Sequence, residues 1–164
     1  FPVSYAIIGH SERRSSGETD SEISKKVLTA WNEEIIPILC VGEKERDSQG
    51  NYLEVLKSQI VASLSLLPKT AIAEIIIAYE PIWAIGSESK GAMSERDLYE
   101  TSIFIRKVLV DIFGFKAKET KIIYGGSVDA DNASSLVKNG EVEGLLVGRQ
   151  SLDPGSFSKI INTV

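Results

Sequence analysis

The 164 residues include one cysteine, Cys40, so no internal disulfide can staple the chain, and that thiol lies in an apolar run. Such cysteine usage fits a reducing compartment, and a cytosolic protein is expected. Basic charge is not in excess: 18 Lys and Arg stand against 23 Asp and Glu, for a net charge of -5. Nucleic acid and anionic membrane are therefore excluded as expected partners, because both would repel the chain and no basic patch offsets this. No apolar stretch approaches the roughly 20 residues of a membrane span, and the N-terminus lacks the basic and apolar regions of a signal peptide. An initiator methionine is absent too. Phe1-Pro2-Val3-Ser4 runs almost directly into an apolar stretch, so the chain reads as cut from something longer or as processed at its start. With no linker, low-complexity tract or charge block, residues 1–164 are expected to form one domain. A chain of this length buries roughly 70% of its unfolded surface.

What is present is a repeating pattern. Five short apolar runs, at residues 5–8, 35–41, 75–79, 122–124 and 145–147, are each followed by a polar or glycine-bearing turn and then by apolar residues at helical spacing. After the first run, Ile23, Val27 and Ala30 with Trp31 share a face; after the second, Leu53, Leu56, Ile60, Leu64 and Leu67 do so. A third helix is predicted from Ser94, with Asp97 three positions on as a capping partner, a stripe of Leu98, Ile105, Val108, Leu109 and Ile112, and a stop at Gly114. A fourth is predicted over about 129–138, with Ala133, Leu136 and Val137 inward and Gly140 as a left-handed cap. The fifth follows Pro154 and turns Phe157, Ile160 and Ile161 inward. Strict alternation of continuous apolar strands with helices predicts an α/β fold with a parallel sheet, either an open doubly wound sheet or part of a (β/α) barrel. In both, residues at the C-terminal ends of the strands face the ligand.

Those ends read Gly9-His10-Ser11-Glu12, Gly42-Glu43, Glu80, Gly125-Gly126-Ser127 and Gly148-Arg149. Pro81 disfavours the helical conformation at Glu80 and ends the ladder, leaving a carboxylate at the mouth of a partly apolar loop. Desolvation there would raise Glu80 towards a useful general base. Taken alone, Glu80 more often reads as an acidic residue that merely ends a strand before a surface loop. His10, the single histidine, lies at the start of a helix, whose positive end favours a neutral, hydrogen-bond-donating imidazole. A structural turn cap is its plainer reading. A base beside a neutral donor suits proton transfer next to a carbonyl. The glycine turns at Gly125-Gly126-Ser127 and Gly148-Arg149 expose backbone N–H groups of the kind that hold phosphate after the last two strands of a barrel. Each turn alone is more often only a tight connection.

Four segments resemble the successive motifs of the triosephosphate isomerases, in family order. They are Tyr5-Ala6-Ile7-Ile8-Gly9-His10-Ser11-Glu12-Arg13-Arg14, Ala78-Tyr79-Glu80-Pro81-Ile82-Trp83-Ala84-Ile85-Gly86, Tyr124-Gly125-Gly126-Ser127-Val128 and Gly144-Leu145-Leu146-Val147-Gly148. The resemblance implies a (β/α)8 TIM barrel, here a partial barrel of about five βα units, the fourth to the eighth. It implies cofactor-free and metal-free interconversion of dihydroxyacetone phosphate and glyceraldehyde 3-phosphate, in glycolysis and gluconeogenesis. By the same resemblance Glu80 moves the proton between the two carbons and His10 serves the two oxygens. Gly86, Ser127, Gly148 and Arg149 belong to the phosphate pocket, with Gly126 beside them; Ile85 and Leu146 clamp over Glu80. Ser11 holds Glu80 in the open state, Glu12 supports a lysine of the family's first strand, and Cys40 and Glu43 stand behind the site.

Several departures modify that expectation. The family's first barrel strand carries an asparagine and a lysine near the substrate, and neither has a counterpart in residues 1–164. The third-strand loop that reaches into the partner of the family's homodimers is also without one. The loop tip at 87–92 is one residue longer than the common pattern, with Glu88-Ser89 where a glycine is usual, and Arg149-Gln150 replace a second glycine and a small residue. The 164 residues by themselves are therefore expected to be nearly inactive. The alternative expectation is a noncatalytic folded piece that binds phosphate and self-associates.

Overall fold

The computed structural model describes residues 2–85 and 93–164. The expectations for Gly86 and for the loop tip at 87–92 fall on residues outside those described. Four strands, β1 (Tyr5–Ile8), β2 (Ile36–Val41), β3 (Ile76–Tyr79) and β4 (Lys121–Tyr124), make one parallel sheet in the order β1-β2-β3-β4. Helices connect them: α1 (Ser11–Ser15) and α2 (Asp20–Asn32) after β1, α3 (Asn51–Ser63) after β2, α4 (Glu95–Phe113) after β3. Then α5 (Ala133–Asn139) and α6 (Pro154–Thr163) complete the chain. From α2 onwards each of these helices packs against the next.

Register explains which side of the sheet is core. Ile8, Leu39, Ile77 and Ile122 lie in one row across the four strands, all buried, and pack with Ile23, Val27, Leu56, Ile60, Leu98, Ile105 and Leu109 of the helices. The adjacent row, Ile7, Ile38, Ile76 and Lys121, points to the other face. There Ile7 is 54% exposed, as is Tyr5, and Ile38 and Ile76 are half-buried. The continuous apolar strands predict burial on both faces; the structure covers one face with helices and leaves the other open at the strands' N-terminal ends, while Cys40 and Ala78 further along that face are buried.

Helix starts follow their caps. Thr19 and Glu22 form a reciprocal capping box at α2, and the Ser94 side chain accepts from the Asp97 N–H at α4. The fourth predicted helix begins later than its apolar pattern, because Asp129 and Asn132 bond to each other's backbone N–H groups and form a turn first. Its predicted left-handed glycine cap is also displaced. Gly140 has φ -89, and the left-handed residue is Glu141, at φ 54. Glycine stands at 140 for closeness: a Cβ there would lie 2.4 Å from the Leu136 carbonyl oxygen and 2.5 Å from Leu98 Cδ2.

Two expectations at the C-terminal end change. The run 145–147 forms no named strand; it joins β4 at a Tyr124–Leu145 bridge, with backbone bonds from Leu146 N–H to the Tyr124 carbonyl at 2.7 Å, Tyr124 N–H to the Gly144 carbonyl at 3.0 Å and Glu143 N–H to the Ile122 carbonyl at 2.7 Å. Beside it the Glu143 carboxylate, not a backbone carbonyl, accepts the Ile122 N–H at 2.7 Å, so a side chain takes one place in the ladder where a fifth strand would begin. On α6, Ile160 is buried, whereas Phe157 and Ile161 are 37% and 58% exposed, because no described element covers that side of the helix.

Candidate active site

Glu80 follows β3 directly and is only 3% exposed. Its N–H donates to the Val41 carbonyl at 2.8 Å, so the end of β2 fixes its backbone. Gly42 makes that approach possible, since a Cβ there would stand 1.8 Å from the Glu80 carbonyl oxygen. On the other side a Cβ at Gly125 would meet Glu80 Cγ at 2.9 Å and Leu146 Cβ at 3.5 Å. Gly42 thus abuts the Glu80 backbone and Gly125 its side chain, with Leu146 also against Gly125.

The carboxyl group has two partners. Oε2 accepts the Ser11 backbone N–H at 3.2 Å, and Oε1 faces His10 Nε2 at 3.2 Å. His10 caps α1: its Nδ1 accepts the Glu12 N–H at 3.4 Å. An accepting Nδ1 leaves the imidazole proton on Nε2, the nitrogen that faces Glu80. Burial pushes the Glu80 carboxyl above the usual carboxylate range, while His10 and the Ser11 N–H pull it back. Cys40 is buried beside it, and burial together with the Glu80 charge pushes its thiol strongly up. That thiol is held protonated, and as a hydrogen-bond partner it works against the effect of burial on Glu80.

Behind the site lies a second buried carboxylate. Glu43 Oε1 accepts from the Tyr79 hydroxyl at 2.9 Å and from the Trp83 indole N–H at 2.8 Å, and burial raises its carboxyl as well. The remaining expected positions are spread around the strand ends. Ser127 donates its hydroxyl to the Ala84 carbonyl at 2.7 Å, tying the turn after β4 to the loop after β3. Gly126 packs on the Tyr124 ring, where a Cβ would lie 2.1 Å from the hydroxyl oxygen, and burial lifts that phenol to about 12. Ile85 is half-buried at the edge of the described loop, and Glu12, Gly148 and Arg149 are exposed. Gly148 precedes a short 3₁₀ turn, Arg149–Leu152, and its carbonyl accepts from both the N–H and the hydroxyl of Ser151. Glu80, His10 and Ser11 are thus in mutual contact, whereas Arg149 and Glu12 do not reach the carboxylate. Among the described residues no group of three His, Cys, Asp or Glu side chains is arranged to hold a metal.

Sequence reading passes over three supporting side chains. Gln59 of α3 closes a two-way amide pair on Gly42, donating to its carbonyl at 3.1 Å and accepting its N–H at 2.9 Å. Arg14 and Asp20 are the others, joined at 2.6 Å behind His10. The available signal for Arg14 is its position four residues after His10, one helical turn on.

Residues 1–164 match the family model described as Triosephosphate isomerase. A triosephosphate isomerase of Moorella thermoacetica is 43% identical over 161 residues, covering 96% of this chain and 64% of that protein. One from Chlamydia abortus is 44% identical over 164 residues, covering 98% and 63%. The crystal structure of triosephosphate isomerase from Bartonella henselae superposes with a TM-score of 0.83 at 37% identity, over 98% of this chain and 64% of that one. This chain therefore spans somewhat under two-thirds of the length of these relatives, and it belongs to the triosephosphate isomerase family.

Proposed function

We propose that these residues carry the proton-transferring half of a triosephosphate isomerase, with Glu80 as the base that moves a proton between adjacent carbons of a triose phosphate. His10 donates from Nε2 to the substrate oxygens as the enediolate forms. The observation that carries this reading is the pairing itself: a buried, raised carboxylate whose Oε1 lies 3.2 Å from the donor nitrogen of His10. A carbonyl inserted there would meet both groups. Ser127, Gly126, Gly148 and Arg149 supply the phosphate end, with Gly86, while Ile85 and Leu146 close over Glu80. Glu12 would support the first-strand lysine of the family. The chemistry needs no cofactor. Glycolysis and gluconeogenesis in the cytosol, and a homodimeric assembly, are the setting this reaction implies. The 164 residues alone are inferred to turn over little substrate, since one preorganised electrostatic donor is worth on the order of 100 to 1000-fold in rate.

A chimaera tests the assignment: residues 1–164 joined behind the part of the Moorella protein that precedes its match, assayed for interconversion of the two triose phosphates. Turnover is expected, with Glu80→Gln lowering kcat by roughly 100 to 10,000-fold. A Glu80→Gln chimaera within about threefold of its parent, far from that range, would remove the base from the mechanism. The open face of the sheet favours a second reading, in which the isolated 164 residues associate with one another and retain phosphate affinity without turnover.

A further inference from the structure

We propose that Arg14 is a positioning residue for the His10–Glu80 pair, its guanidinium fixing the peptide from which His10 projects against the strand end that carries Glu80. This rests on the reading of that pair given above. Arg14 Nε donates to the Gly9 carbonyl at 2.8 Å. That carbonyl shares its peptide plane with the His10 nitrogen, so the bond sets the direction in which His10 leaves β1. Gly9 is left-handed, at φ 72, and a Cβ there would lie 3.3 Å from Arg14 Nη2, so glycine both turns the carbonyl and admits the guanidinium. Nη2 donates to the Cys40 carbonyl at 3.1 Å, one residue before the Val41 carbonyl that holds the Glu80 N–H. One planar group thus ties the backbone of His10 to the backbone that supports Glu80.

The clamp is itself held. Nη1 donates to Asp20 Oδ1 at 2.6 Å and Nη2 to Ser63 Oγ at 3.3 Å, while the Ser63 hydroxyl donates to the same Asp20 oxygen at 3.0 Å. The N-terminal turn of α2 and the last residue of α3 therefore orient the fork, and the Arg14 side chain is only 14% exposed. Its charge also acts on Glu80 and Cys40 in the sense opposite to burial. A lysine keeps that charge but cannot reach acceptors in four directions from one nitrogen.

The single histidine makes the test direct, because its imidazole NMR signals need no assignment among rivals. In the otherwise unaltered chain Glu80→Gln should move the His10 signals. That response should be lost in Arg14→Met and in Arg14→Lys. It should persist in Arg106→Met, which removes a comparable guanidinium from the Lys118 and Thr120 carbonyls, away from the site. A full response in folded Arg14→Met overturns the proposal. If circular dichroism shows Arg14→Met unfolded, Arg14→Lys carries the same decision, and a full response there overturns it equally. His10 signals that ignore Glu80→Gln in the unaltered chain would instead refute the pair, and the role of Arg14 with it.

Discussion

Two buried carboxyl groups, Glu80 and Glu43, are held above the usual carboxylate range, each chiefly by burial. In the unfolded chain both ionise near the ordinary value of about 4.3. As pH rises through that value the folded protein keeps protons that the unfolded chain has shed, so stability falls until the folded groups also ionise. Carboxylates lowered by backbone hydrogen bonds, such as Asp47 and Asp153, act in the opposite sense and at lower pH, below the ordinary value. The two effects therefore separate. Above about pH 5, where carboxylates of ordinary or lowered pKa are ionised in both states, the urea midpoint of the unaltered chain should decline with rising pH until the folded Glu80 and Glu43 ionise. Glu80→Gln, which cannot ionise, should decline less, and equal slopes for the two would show that Glu80 is not raised. His10 and Glu80 are legible as candidates only together and through the motifs that carry them, because each taken singly has a plain structural reading. Arg14 was not legible, because its partners Gly9, Asp20, Cys40 and Ser63 converge only once three helices and two strands have packed.

At the scale of elements, what the chain encodes locally is what reads off directly. Helices α2 and α4 repeat apolar residues at three and four, carry their own side-chain caps and appear where their patterns place them, whereas α3 has no side-chain cap and ends at Ser63, before Leu64 and Leu67 of its predicted stripe. Strands β1 to β4 are likewise apolar runs ended by glycine or by Glu80-Pro81. Elements that depend on neighbours read less well. The run 145–147 has an apolar strand composition yet lies beside β4 alone, and α6 exposes Phe157 and Ile161 although their spacing is helical and inward. Composition fixes what a segment can pair with, and the neighbour decides whether it does. The start of α4 is a local feature of the first kind. The Ser94 hydroxyl stands within 3.1 Å of the Asp97 N–H and 2.8 Å of its carboxylate, so Ser94→Ala leaves an N–H of the first turn without its partner. A loss of about 1 kcal/mol in unfolding free energy is expected by chemical denaturation, with the Asp97→Ala change partly overlapping it. A neutral Ser94→Ala would mean that water replaces the cap fully.

For the whole molecule, the decisive feature is a sheet closed by helices on one face and open on the other. A full barrel has neither an edge nor an open inner face. Here, among the described residues, β1 has β2 as its only sheet neighbour and presents Tyr5 and Ile7, each 54% exposed, beside the half-buried Ile36 and Ile38 of the next strand. Contiguous exposed apolar surface at an unpaired strand edge promotes association. The 164 residues alone should therefore assemble as concentration rises, read as growing mass in light scattering. Ile7→Lys places a charge on the edge without touching the buried row of Ile8, Leu39, Ile77 and Ile122. Completing the burial of one isoleucine is worth on the order of 1 kcal/mol, and desolvating a lysine would add to the difference. Ile7→Lys should thus weaken association by at least about tenfold, with unfolding free energy little changed. A chain that stays monodisperse and monomeric, or an Ile7→Lys variant that assembles like its parent, would mean that the open face is not where copies meet.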